Sequence, residues 1–175
     1  MKTTGVVRRI DDLGRIVIPK EIRKTLRIKD GESLEIFLDS DNIILKKYSR
    51  LSGLNDFYKN YVDSVWSAIG ENIMITDNDK FVAIAGDLKK KCLNEPVSSY
   101  IEDIMQRRED AVAKTTTSLE LSPGCFMDCT YAISPIIVNG DVLGSVILVS
   151  NSSRLEDFSE KTVKIAAKFL GKYIE

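Results

Sequence analysis

The side chains with the strongest chemical signature are the basic ones crowded near the start of the chain: Arg8, Arg9, Arg15, Lys20, Arg23, Lys24, Arg27 and Lys29. Within residues 1–30, nine Lys or Arg stand against four Asp or Glu. A planar guanidinium matches phosphate oxygens and the paired acceptors of a guanine edge, so arginine-rich clustering suits a nucleic acid better than lysine alone would. Arg8 and Arg15 fall on short apolar segments that one turn can make neighbours, and Arg23 and Lys24 fall on a helix that follows. These four, with Arg9 and Lys20 beside them, are the candidate contacts to double-stranded DNA. Acids at Asp11, Asp12 and Glu21 are interleaved among them, so composition alone leaves an ordinary solvated surface equally open.

The charge of the whole chain hides this asymmetry. The net charge of the 175 residues is −1, yet residues 1–50 carry 12 basic against 8 acidic groups and the remainder 13 against 18. A basic head on an acidic body points to a polyanionic partner at one end.

Other chemistry finds little support. The chain has no histidine, which removes the commonest general base and every Ser/His or Cys/His arrangement. No pair of carboxylates stands at a recognisable catalytic spacing, and no catalytic residue is assigned. Cys92, Cys125 and Cys129 are an odd set; the C-x-x-x-C spacing of the last two falls short of the four ligands zinc usually takes. Gly140 and Gly144 fit hairpin and strand roles rather than a phosphate-cradling loop. The expectation is a protein without metal or cofactor. Met1-Lys2 leads into Thr3, Thr4, Gly5 and then Arg8-Arg9, which is not a signal-peptide pattern, and no apolar run approaches a membrane span. A cytoplasmic protein, associated with the nucleoid, is expected.

Three segments must position these residues: 1–50, 51–70 and 71–175. In the first, Val6–Ile10 and Arg15–Ile18 read as short strands around the turn Asp11-Asp12-Leu13-Gly14. Pro19 ends the second strand and opens a helix over Lys20–Leu26; Asp30-Gly31 turns the chain into a hairpin of Leu34–Leu38 and Asn42–Lys47. So small a segment, unbraced by disulfide or metal, buries too little apolar area to fold alone, and oligomerisation is the remaining remedy. In the second segment Leu51, Leu54, Tyr58, Tyr61, Val65 and Ala68 repeat at 3 and 4, a helix seam for a subunit contact or for packing on its own domain. Val62, Trp66 and Ile69 widen that seam, and Gly70 ends it.

The third segment alternates strands and helices, as in an α+β domain. Strands are expected at Ile73–Thr76, Phe81–Ala85, Leu119–Leu121, Tyr131–Val138 and Val142–Ser150, with Asn139-Gly140 as a two-residue hairpin turn. Helices are expected at Val97–Arg108 and from Ser153-x-x-Glu156, a capping box, to about Ile174. Phe81–Ala85, Tyr100–Met105 and Cys125–Tyr131 would line a small-molecule pocket if this segment is a sensor; a domain that only builds the oligomer is the plainer alternative.

The run from Thr4 to Leu26, with Leu34-Glu35-Ile36 and Ile43–Tyr48, closely resembles the N-terminal domain of AbrB-type transition-state regulators. The resemblance implies a swapped-hairpin dimer in which two chains interleave their strands. It also implies DNA contacts from Arg8, Arg15 and Arg23 with a basic residue at Lys24, where arginine is more usual. Arg27 stands where many relatives have glycine. Head, helix and tail together resemble sporulation regulators that join such a head to a GAF-like domain. These are sequence-specific DNA-binding factors for late, forespore-stage genes, assembled as a homotetramer of two dimers through helices of the tails. The phrase Ser134–Asp141 carries that part of the likeness.

Two other readings compete. Antitoxins use the same swapped-hairpin head to neutralise a protein toxin, but with a disordered tail, whereas this tail is patterned to fold. A ligand-processing enzyme built on the tail would have to work without histidine.

Overall fold

A computed structural model describes residues 5–28, 30–48 and 53–175, so Lys29 and Leu51 lie outside it. It divides into two compact units, Met1–Tyr48 and Ser49–Glu175.

The first unit contains α1 (Lys20–Thr25) and an antiparallel hairpin of β1 (Leu34–Asp39) and β2 (Asn42–Lys47). Pro19, whose ring fixes φ near the observed −56°, stands at the helix N-cap. The helix ends in a Schellman arrangement: Ile28 N–H donates to Arg23 C=O, Arg27 N–H donates to Lys24 C=O, and Arg27 takes φ +53°. A side chain in that left-handed conformation costs about 1–2 kcal/mol, partly offset by the looser unfolded chain glycine would bring. Arg27→Gly is therefore expected to stabilise the first unit by about 0.5–1 kcal/mol. Chemical denaturation followed on the full chain checks this, and a lower midpoint would contradict it.

The expected strands Val6–Ile10 and Arg15–Ile18 are not strands here: neither segment pairs in a ladder within the single chain. Only the turn between them is closed, by Gly14 N–H to Asp11 C=O (3.0 Å) and Asp11 N–H to Arg15 C=O (3.1 Å). Strand-forming residues without a ladder leave backbone donors and acceptors to water or to a further strand. Burial agrees with this. No described residue of the unit is buried, and Val7, Val17 and Leu38 are 88%, 73% and 81% exposed. The described residues of the first unit include apolar side chains but build no buried core among themselves.

The second unit is a five-stranded antiparallel sheet in the order β4-β3-β7-β6-β5, with helices on both faces. The strands are β3 (Asn72–Asp77), β4 (Phe81–Ala85), β5 (Ala111–Ser122), β6 (Cys125–Val138) and β7 (Asp141–Ser150). Alternation sorts their side chains. Ile73, Ile75, Val146 and Leu148 face α2 (Asn55–Ile69) and α5 (Asp157–Ile174); Met74, Ile147 and Val149 face α3 (Lys89–Cys92) and α4 (Ser99–Arg107). Because both faces are covered, the central strands read as unbroken apolar runs rather than alternating ones. The β6–β7 turn has Asn139 at φ +51° and Gly140 at +85°, the positive pair that an Asn-Gly hairpin supplies.

Two helices differ from expectation. On α2, Tyr58 and Val62 are fully buried, Leu54, Phe57, Tyr61, Val65 and Ile69 pack beside them, and Ala68 is exposed. The packed stripe is rotated from the heptad seam because the partner is the curved sheet surface of the same unit. Before α5, Glu156 rather than Ser153 occupies the N-cap, and no side chain caps it. Arg154 instead bridges to Thr115 on the sheet edge, and Leu155 N–H donates to Lys114 C=O, so Ser153 is held too early to cap. Ser98 does cap α4, accepting from Ile101 N–H.

Candidate nucleic-acid interface

Arg8, Arg9, Arg15, Lys20 and Lys24 are all exposed, and Arg23 is half-buried. Helix α1 gathers Lys20, Arg23 and Lys24; the Asp11–Arg15 turn presents Arg15. Two aspartates that open turns in the sequence, Asp11 and Asp30, are also side-chain partners of these arginines. Asp11 Oδ1 accepts from the backbone N–H groups of Leu13 (3.0 Å) and Arg15 (2.7 Å), and its Oδ2 accepts from Arg15 Nε (2.7 Å). The Arg15 backbone N–H and guanidinium hold the Asp11 carboxyl below the usual carboxylate range. The signal was present in the sequence: Asp at the first position of a D-x-x-G turn commonly accepts from the backbone two residues on.

Arg23 is arranged differently. Its Nη1 donates to Asp30, while its Nε is buried with no hydrogen-bond partner among the described residues. One terminal nitrogen is thus already engaged, whereas the terminal nitrogens of Arg15 meet no acceptor among the described residues.

The three segments named as candidate pocket lining converge only in part. Phe81, Ile84, Ile101, Met105, Cys129 and Tyr131 meet on the α4 side of the sheet, but Ala83 and Ala85 turn to the opposite face. The Tyr100 and Tyr131 hydroxyls are 2.6 Å apart, and burial followed by that hydrogen bond raises the Tyr131 phenol well above its ordinary value. Burial pushes the Cys92 and Cys129 thiols up to about 11, so both are protonated at neutral pH. Cys125 and Cys129 share strand β6, where four residues span roughly 13 Å, too far for one cation. On the other side of the sheet, Phe57 stacks on Tyr173 (4.3 Å between centroids) and Tyr61 on Phe169 (5.9 Å), joining α2 to α5 in an aromatic patch with Phe169 and Tyr173 exposed.

A basic head with one helix and a two-stranded hairpin is thus followed in the chain by a helix-flanked, five-stranded antiparallel sheet. Residues 53–175 match the family described as stage V sporulation protein T C-terminal, transcription factor. Residues 7–52 match the antidote-toxin recognition MazE family of bacterial antitoxins. The chain is similar to stage V sporulation protein T of Bacillus subtilis, 44% identical over 177 residues that cover 100% of this chain and 99% of that one. Its head is similar to the transition state regulatory protein AbrB of Bacillus subtilis, 58% identical over 48 residues, 27% of this chain and 50% of the relative. In three dimensions the chain is similar to the GAF domain of a phosphoenolpyruvate-protein phosphotransferase from Coxiella burnetii. The TM-score is 0.53 and the identity 20%, covering 69% of this chain and 82% of that one, a likeness of fold.

The chain belongs to the stage V sporulation protein T family of transcription factors. It is a DNA-binding transcription regulator of sporulation, of α+β class, with an AbrB-like head and a second domain of GAF-like fold. Among the described residues no helix is long and apolar enough to cross a membrane.

Proposed function

We propose that Arg8, Arg9, Arg15, Lys20, Arg23 and Lys24 form the DNA-contacting surface of a homotetramer. The carrying observation is the Arg15 side chain, 70% exposed and yet held by Asp11. Two copies of the first unit would pair to supply the ladders missing from Val6–Ile10 and Arg15–Ile18, doubling the basic surface on one scaffold. The exposed aromatic patch of α2 and α5 is the natural second contact, joining two dimers through the second units. Tethering two heads in this way raises the effective concentration of the second at the same DNA.

In this reading the protein is not an enzyme and acts in the cytoplasm on the nucleoid, at late, forespore-stage genes. A small-molecule effector would meet the α4 side of the sheet, where the Tyr100 and Tyr131 hydroxyls offer polar contacts over an apolar floor. The match of the head to an antitoxin family supports a second reading, a protein partner for the same surface. The folded second unit favours the first.

Titrating a promoter fragment and a scrambled fragment with the whole protein across a salt series tests this. Log affinity should fall linearly with log salt by about 0.9 per phosphate neutralised, the promoter fragment binding tighter throughout. Sedimentation of the same preparation should give four chains per particle. Absence of binding to either fragment at low salt would move the reading to a protein partner, and a dimer at every concentration would remove the second contact.

A further inference from the structure

We infer that Asp11 is a positioning residue for DNA recognition: it holds the Arg15 guanidinium by Nε so that the paired terminal nitrogens project free toward a base edge or phosphate. The inference rests on the DNA-contact role proposed for Arg15. An acidic side chain beside a DNA-binding arginine should weaken binding by repelling phosphates, and its presence calls for a compensating role. Its hydrogen bonds supply one. Oδ1 ties down the turn through Leu13 and Arg15 N–H, and Oδ2 takes Arg15 Nε at 2.7 Å. The Asp11 backbone completes the clamp, accepting from Gly14 N–H and donating to Arg15 C=O.

Arginine offers five N–H donors in a rigid fork. Engagement at Nε leaves the Nη1/Nη2 end, which can pair with guanine O6 and N7 or with two phosphate oxygens. Arg23 is the internal contrast, because Asp30 takes one of its terminal nitrogens. A long side chain that is already ordered loses less freedom when it binds.

The sign of one substitution separates this from simple repulsion. Asp11→Asn keeps an oxygen for the two backbone N–H groups but replaces the acceptor of Arg15 Nε with an amide that cannot accept, and it removes one negative charge. If Asp11 positions Arg15, Asp11→Asn weakens promoter binding roughly 3–10-fold, the cost of ordering one side chain. Scrambled-DNA binding is then unchanged or tighter. In an Arg15→Ala background the same substitution no longer weakens promoter binding. Parallel tightening on both fragments, no change on either, or an equal loss in the Arg15→Ala background would each overturn the inference. If Asp11→Asn lowers the thermal midpoint, Arg15→Lys decides instead. It keeps the charge but not the fork, so scrambled-DNA binding should persist while promoter preference falls; retained preference overturns the inference. An Arg15→Ala variant that binds both fragments like the parent removes the DNA-contact role itself, a separate failure.

Discussion

Arg15→Ala should weaken promoter binding by roughly 5–150-fold while leaving the particle mass unchanged, the loss of about 1–3 kcal/mol that one bidentate contact carries. The size follows from the place of the side chain. It is exposed, clamped at Nε and free at its terminal nitrogens, so it has no fold to support beyond its pair with Asp11. An exposed pair of that kind contributes little to stability, which is why the oligomer should survive. The salt slope should also become shallower, by about one phosphate's worth if the fork meets the backbone and by less if it meets a base. Gel-shift or anisotropy titrations at several salt concentrations, with sedimentation of the same samples, measure both quantities. Unchanged affinity and slope would show that the surface is elsewhere.

Gly144→Ala is expected to cost about 3 kcal/mol or more, beyond the usual range for one added methyl group in a packed interior. A Cβ at this position would lie 1.9 Å from Thr76 C=O and 3.0 Å from the Asp77 Cα. Both are backbone atoms of β3, which cannot swing aside as a side chain can. Position 144 pairs with Asp77, and the next pair, Ser145 with Thr76, carries a hydroxyl–hydroxyl contact of 2.8 Å and a bond from Ser145 N–H to the Thr76 hydroxyl. Prising β7 from β3 would leave those buried groups unpaired in the middle of the sheet, adding desolvation to the clash. The thermal midpoint of the second unit should fall by roughly 6–12 °C. Gly140→Ala is the control: its φ of +85° is unfavourable but its surroundings are open, so the cost stays near the 1–2 kcal/mol of one left-handed residue. Calorimetry that found the two variants equal would refute the close approach of β3 to β7.

Local chemistry carried much of the architecture in the sequence. The Asp11–Gly14 turn, the Leu34–Lys47 hairpin, the Asn139-Gly140 turn and the Gly70 stop each depend on a few adjacent residues, and each is found. Features set by distant partners were not legible. Strand β5 extends over Ala111–Ser122, far beyond Leu119–Leu121, because Lys114–Ser118 is solvent-exposed and carries no apolar alternation. Its pairing to β6 also shifts register between Ala113 and Thr117. Helix α3 is one turn long and has only a lysine run for a signature. At the candidate interface the arginines announced themselves by type, but the difference between Arg15 and Arg23 lies in which nitrogen each aspartate takes, and that is geometry.

The missing core of the first unit ties reading DNA to how much protein the cell holds. Where a fold is completed only by a second copy, stability rises with protomer concentration, and folding and assembly become one equilibrium. Sparse chains would keep their heads unpaired, with Val7, Val17 and Leu38 in water and open to proteases. As synthesis rises, heads would pair, persist and reach promoters together, so occupancy climbs more steeply than concentration. On the dimer proposed above, such a head would act as a dosage threshold, set by the pairing equilibrium of two heads.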